Sequence, residues 1–495
     1  MMMRVSIALL AAQSLFVSAQ ELPDISSSTT CEPLSLCYNL TMAGYAFETS
    51  QRALPNSPFY TVPSNFSEDL EPGTLLAVEV GTNLTNYTVP AGLTMSRLLY
   101  TSTDLNGKVL PASAYIVWPA NLPSSQPRCR SSPTLPVVAW AHGTSGLFPA
   151  CGPSNYRSLQ YNFMMPYALA LQGMAVIAPD YVGLGLGAFP NGESIPHAYG
   201  ASPAQANDVA NAIIAARKAF SILTDSPFVC AGHSQGGGVA WAFAERQAKQ
   251  PVPGYRGTVA FAPATDVIGT IAAANDALAG GKFETWVSAA LGFVQHSTIA
   301  GVTSLYPSFN FTGMTSIVRD RFFNVAAKVQ ACLPTDSLIF ATVPPAELGE
   351  PGWTNTFVAQ EFRKRTSVGG KEFAGPLLVI AGKADSAVQF ETVEKVIEAT
   401  CDVVNSGNTS SSLEFVSYEA KDHFPVIQAS QHYWMDWIKE HLHGTGSSQS
   451  RTNNGTTGCT KRNVEAFRNE FSQSSISPNW LVTAAAPMAE WQYSF

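Results

Sequence analysis

Five short apolar runs constrain this chain more than any other feature: "LPVVAWAHG", "GMAVIAPDY", "PFVCAG", "GTVAFAPA" and "PLLVIAG". None of them alternates apolar with polar residues. A strand that is apolar on both faces has to be covered on both, which is the condition of a parallel sheet between helical layers. Helical patterns separate the runs, in "SPAQANDVANAIIAARKAF", "AVQFETVEKVIEATC" and "SQHYWMDWIKEHL". Strands alternating with helices predict an open α/β sheet, mostly parallel and flanked by helices, with its functional groups at the carboxyl ends of the strands. Ahead of them, "RLLYTSTD" and "VLPASAYIVW" flank Asn106-Gly107, a favoured hairpin pair.

The 495 residues suffice for one large domain with insertions. Residues 1–19 read as a signal peptide: Arg4 gives a positive start, Val5 to Val17 are mostly apolar, and Val17-Ser18-Ala19 offers a cleavage site. Residues 20–90 form an N-terminal extension without strong periodicity. The sheet-forming core occupies 91–265 and 374–444. Between them, 266–373 lacks a strand set and predicts a mostly helical insertion over the core. Residues 445–495 open with the polar linker "TGSSQSRTNNGTTG" and close on a tail with Trp480, Trp491 and Tyr493.

Secretion draws further support from sequons at Asn39, Asn65, Asn83, Asn86, Asn310, Asn408 and Asn454 and from 8 cysteines. Cys230, inside a buried strand, is expected to stay unpaired. Hydrophobic residues are 46% of the chain and charged residues 13%, the balance of a packed protein. The net charge of -8 with no basic run argues against nucleic acid. No apolar run is long enough for a transmembrane segment.

The third run turns into "GHSQGG". Gly232-His233-Ser234-Gln235-Gly236 has the Gly-x-Ser-x-Gly form of a nucleophile elbow. A strand must turn sharply into a helix there, with the serine strained at the apex and no room for a side chain two residues away on either side. A hydroxyl needs a base. His423 follows the run "LEFVSYEA" and precedes the last helix, the place that the order serine, acid, histidine requires. Asp385, just past "PLLVIAG", is the orienting acid. Asp422 adjoins the histidine too closely for that geometry, and Asp180 precedes the serine. His142, His197, His233, His296, His432, His441 and His443 lack the setting. A tetrahedral oxyanion needs two N–H donors. Gln235 supplies one, and the loop "AWAHGTSG" the other, from Ser145 or Thr144.

With these residues placed, the chain resembles the secretory lipase family of fungi and actinobacteria, within the α/β-hydrolases. The likeness runs from about Leu98 to Leu442 and rests on "AHGTSG" with "CGPS", "APDYVGLG", "GHSQGG", "GKADSAV" and "DHF". It implies Ser234 as nucleophile, Asp385 as acid and His423 as base. It implies Ser145 as oxyanion donor, by its distance before Cys151, and a helical cap at 266–373. It also implies disulfides Cys151–Cys332 and Cys401–Cys459. Cys31–Cys37 is a further pairing, and Cys129 is left over. Residues 20–90 and the tail beyond Gly444 have no counterpart in the family pattern.

The expected function is a secreted serine hydrolase of carboxylic esters, with a small-molecule or lipid ester as substrate and transient contact with a lipid interface. The alternatives are an acyltransferase or peptidase with the same triad, and a non-catalytic binding protein on the same fold. No cofactor or metal is expected: the chain has no His-Glu-x-x-His, no paired-cysteine zinc pattern, and "VGLGLG" lacks the spacing of a dinucleotide site.

Overall fold

The computed structural model describes residues 23–53, 57–121, 134–282, 284–406, 411–443 and 458–466. The signal segment, Cys129, Asn408, Asn454, the side chain of His443 and the tail with Trp480, Trp491 and Tyr493 lie outside the described residues.

The apolar runs form strands wherever they were expected. The strands are β1 (Leu75–Glu79), β2 (Leu93–Thr103), β3 (Val109–Pro119), β4 (Val137–Ala141), β5 (Ala175–Pro179), β6 (Phe228–His233), β7 (Tyr255–Phe261), β8 (Leu377–Gly382), β9 (Ser412–Tyr418) and β10 (Gly458–Val464). They make one sheet in the order β1-β2-β3-β5-β4-β6-β7-β8-β9-β10. From β5 to β10 the pairings are parallel, while β1, β2 and β3 are antiparallel. Registers such as Ala141↔Gly232 and Gly382↔Tyr418 align the carboxyl ends of β4 with β6 and of β8 with β9. The loops that follow these ends therefore gather along one edge.

The helices are α1 (Leu36–Gln51), α2 (Pro166–Leu171), α3 (Ser202–Ala219) and α4 (Gln235–Lys249) up to β7. Between β7 and β8 come α5 (Val267–Ala279), α6 (Thr285–Ala289), α7 (Gln295–Leu305), α8 (Ser316–Arg321), α9 (Ala327–Val329), α10 (Leu333–Phe340) and α11 (Phe357–Thr366). The chain closes with α12 (Phe390–Asn405), α13 (Pro425–Ala429) and α14 (Gln431–His443). One core packs α3, α4 and α12 on the sheet through Val209, Ile213, Trp241 and Ile397. The opposite face packs α2 and α14 through Tyr167, Trp434 and Ile438. A third cluster, with Ile271, Val302 and Phe340, joins the inserted helices to one another and to α1.

Three sequence expectations change. Residues 20–90 hold a sixteen-residue helix, α1, and the edge strand β1. The buried stripe of α1 is Cys37, Thr41, Gly44 and Glu48, at helical spacing but without the large apolar residues that make a period visible. The 445–495 segment contributes β10, a strand of mostly exposed side chains beside β9. The hairpin between β2 and β3 turns through Asp104–Lys108, closed by Asp104 N–H to Lys108 O at 3.1 Å, a longer loop than a two-residue Asn-Gly turn.

Disulfides Cys31–Cys37, Cys151–Cys332 and Cys401–Cys459 are formed, and Cys230 is free and buried. Cys332 precedes α10 and is a junction. Its N–H and that of Thr335 donate to the buried Glu48 carboxylate of α1 at 3.0 and 2.9 Å. Burial raises the pKa of Glu48, against the pull of these two donors. The carboxylate thus serves as the missing cap of α10. The next residue, Leu333, donates its N–H to Ser145 O at 2.8 Å.

The Cys151–Cys332 bond spans 181 residues, so it removes much chain entropy from the unfolded state. Replacing both cysteines by alanine is expected to lower stability by about 2–5 kcal/mol in guanidinium unfolding. An unchanged midpoint would show that the inserted helices stay docked without it.

Candidate active site

β6 runs directly into α4 with only Ser234 between them, and that residue sits at φ 59°, ψ -122°. A residue with a Cβ in this region is strained, and the strain persists only where the surroundings enforce it. Ser234 N–H donates to Phe261 O at 3.0 Å, and Ser234 O accepts from Gly238 and Ala264 N–H at 3.1 and 3.0 Å. A Cβ on Gly232 would lie 2.0 Å from Gly236 O, and one on Gly236 would lie 2.0 Å from Ala141 O. Both contacts are with backbone, so neither glycine tolerates replacement. The sequence thus dictates a turn that lifts the serine above the carboxyl edge of the sheet.

Asp385 stands in the loop after β8, and its side chain is almost wholly buried. One carboxylate oxygen accepts N–H bonds from Ala387 and Val388 at 2.9 and 2.8 Å. The other lies 2.8 Å from His423 Nδ1. A carboxylate can only accept, so Nδ1 carries the proton and Nε2 is the ring atom left for proton transfer. Asp422, the rival acid, faces backbone instead. Its Oδ1 accepts from Ser386 N–H and hydroxyl, both at 2.8 Å, and from His423 N–H at 2.7 Å. It ties the Asp385 loop to the His423 loop. Asp180 is remote from this pair: it accepts from the Ser113 and Ser154 hydroxyls and from Ser154 N–H, and burial raises its pKa to about 6.

His423 adjoins the elbow. The carbonyl of His423 is 3.0 Å from His233 Nε2, and the two rings lie 4.4 Å apart. Among the described residues no hydrogen bond joins Ser234 Oγ to His423, whose Nδ1 is engaged by Asp385. Contacts of this kind commonly tighten only in the substrate complex.

The loop after β4 completes the site. A Cβ on Gly143 would stand 3.3 Å from Ser234 Cβ, so the loop abuts the elbow. Thr144 Oγ1 is 3.0 Å from Tyr199 OH, and Ser145 is buried with its carbonyl held by Leu333. Gln235 is the first residue of α4, where N–H groups have no intrahelical partner and the helix dipole is positive. Of the other histidines, burial holds His142 and His197 near pKa 4, and His296 is paired with Asp336 at 2.8 Å inside the inserted helices. The bracing role of Asp422 escapes a reading of the sequence, because it acts between loops far apart in the chain. Among the described residues, no cluster of metal-ligating side chains occurs.

The pattern of the alpha/beta hydrolase family matches residues 137–431, more than half of the chain. No curated protein matches the sequence. Among solved structures, lipase A of Candida antarctica superposes with a TM-score of 0.62 at 16% identity, covering 85% of this chain and 92% of that one. The rice cell wall degrading esterase LipA of Xanthomonas oryzae gives 0.55 at 16% identity, covering 76% and 99%. A putative hydrolase of Legionella pneumophila gives 0.53 at 15% identity, covering 77% and 100%. At these identities the likeness is one of fold.

Two substitutions separate the roles of the neighbouring carboxylates. With Asp385 as the expected orienting acid, Asp385→Asn is expected to lower kcat roughly 10³- to 10⁴-fold by losing the imidazole tautomer. Asp422→Asn, which only loosens the loops, is expected to cost about 10- to 100-fold. Equal effects in the same kinetic assay would contradict this division.

Proposed function

The chain belongs to the alpha/beta hydrolase family, and from that premise we propose that it is a secreted serine hydrolase of carboxylic esters, of lipase or esterase type. The observation that carries the proposal is the Asp385–His423 pair at 2.8 Å beside the strained turn of Ser234. The lipase and the esterase that share the fold favour an ester over other acyl substrates.

In this reading Ser234 Oγ attacks the ester carbonyl while His423 Nε2 takes its proton. The carbonyl oxygen becomes an oxyanion held by the N–H groups of Gln235 and Ser145. Collapse breaks the bond to the alcohol, which leaves with the proton from His423, and the acyl group stays on Ser234. Water then attacks the acyl-enzyme with His423 as base and releases the acid. Asp385 holds the imidazole and stabilises its charged form throughout. The inserted helices form a cap over the acyl chain, fixed at the Ser145 loop by Leu333 and by the Cys151–Cys332 bond.

Secretion is supported by three disulfides and by five described sequon asparagines, Asn39, Asn65, Asn83, Asn86 and Asn310, all exposed. Among the described residues no helix is long and apolar enough to cross a membrane.

Turnover of nitrophenyl esters of graded chain length, beside aminoacyl amides, tests the chemistry. Ester hydrolysis is expected, and Ser234→Ala should reduce kcat by roughly 10⁶-fold in a protein that still folds. Failure to cleave any ester would refute the proposal. Expression in a secreting eukaryotic host is expected to give a medium protein that starts near residue 20 and loses mass on removal of N-linked glycans. Retention in the cell at full length would contradict the secretory part.

A further inference from the structure

Tyr161 lies in the segment between β4 and β5, 72 residues before His233. Its hydroxyl is 2.8 Å from His233 Nδ1, while His233 Nε2 is 3.0 Å from the carbonyl oxygen of His423. A carbonyl only accepts, so Nε2 of His233 carries a proton. Burial, helped by the neighbouring His423, holds the pKa of His233 well below its ordinary value. The ring is therefore neutral with a single N–H, and Nδ1 is its lone-pair atom. The Tyr161 hydroxyl must then donate to Nδ1. Its oxygen also packs on the Gly143 backbone, so close that a Cβ there would be 2.2 Å away.

The result is a directed pair of hydrogen bonds with a close contact to Gly143 at its outer end. It starts in the loop after β4, crosses the elbow through the residue next to Ser234, and ends on the backbone of His423. Each nitrogen of His233 has one partner, and the direction of the Tyr161 bond follows from that of the bond to the His423 carbonyl. Its surroundings are aromatic: Tyr161 packs edge-on to Trp140 at 5.1 Å and against Phe424 at 6.1 Å, and His233 lies 4.9 Å from Phe424. Both residues are buried. Water competes poorly for hydrogen bonds in such a setting, so the links hold their geometry.

We propose that Tyr161 and His233 are positioning residues of the hydrolytic site, setting the distance between the Gly143–Ser145 loop and the His423 imidazole. The proposal rests on the reading of Ser234, Asp385 and His423 as nucleophile, acid and base. Asp385 anchors the imidazole at one ring atom, and Asp422 holds the His423 N–H, which leaves the carbonyl side of the residue to be fixed. The His233 bond anchors its backbone. Gly143, at the far end of the chain, starts the loop that carries the Ser145 N–H. The same two side chains thus register the base and the oxyanion donors on one frame. His233 itself does not touch the reacting atoms, because both its nitrogens are occupied.

Tyr161→Phe is the cleanest test, since it removes one oxygen and keeps the ring. It strands His233 Nδ1 and removes the oxygen that packs on Gly143. His233→Leu removes the whole link, and His233→Gln restores a donor near the position of Nε2. The measurements are kcat and KM on p-nitrophenyl butyrate, with the thermal midpoint of each variant as a check on folding. Tyr161→Phe is expected to lower kcat by about 10- to 100-fold with KM within about twofold, because misplacement acts on the transition state more than on binding. His233→Leu is expected to lose more than Tyr161→Phe, and His233→Gln to recover most of that loss. Folded Tyr161→Phe with parental kcat overturns the proposal, as does a His233→Gln no better than His233→Leu. If His233→Leu does not fold, Tyr161→Phe decides alone. Ser234→Ala in the same assay keeps the two readings apart. Parental activity in Ser234→Ala defeats the proposed function itself. An inactive Ser234→Ala beside a fully active Tyr161→Phe defeats only the positioning role.

Discussion

The backbone of Ser234 is forced to φ 59° and ψ -122° between a strand and a helix that leave room for one residue. Such a conformation costs on the order of 1–3 kcal/mol and survives only where neighbours over-determine it. Here they do. Phe261 and Ala264 hold the Ser234 backbone from the β7 side, and Ala141 closes on Gly236 from β4. The strain therefore draws on the whole centre of the sheet. It is also what exposes the hydroxyl at the edge where the loops of Asp385 and His423 arrive.

Around that turn the molecule is fastened in two places. On one side Asp422 joins the acid loop to the base loop through three short bonds. On the other, Cys332 and Leu333 join the inserted helices to the Ser145 loop, with Glu48 of α1 capping the same helix end. The N-terminal helix is thus part of the clamp on the insertion, and Asp320, which accepts from the Ser28 and Thr30 hydroxyls, adds a second seam between the same parts. On the proposed reading, the cap is fixed to the oxyanion loop at its root, the start of α10.

How much of this is legible in the sequence depends on whether a signal is local. The strands that meet at the site are continuous apolar runs, and Gly232 and Gly236 flank the serine at the fixed spacing of the elbow, so both can be read directly even though the contact that demands Gly236 comes from Ala141 of β4. Asp385 and His423 follow from their places after β8 and β9. The helix α1 escapes because its buried stripe is Cys37, Thr41, Gly44 and Glu48, chosen for close approach and for capping α10. The strand β10 escapes because an edge strand buries little and its "GCTKRNV" is polar. Tyr161 escapes for a different reason: its partners come from separate loops, and nothing near it in the chain marks it. Position along the sheet is encoded in stretches of a few residues, whereas the ties between loops exist only after folding.

On the proposed reading the strained serine, Ser234, is the nucleophile. An active-site-directed fluorophosphonate reacts with a serine only when base and oxyanion donors activate it. Peptide mapping by mass spectrometry after labelling is predicted to find one phosphonyl adduct per chain, on Ser234, and none after denaturation before labelling. An adduct on another serine, or no adduct on the folded protein, would contradict the account.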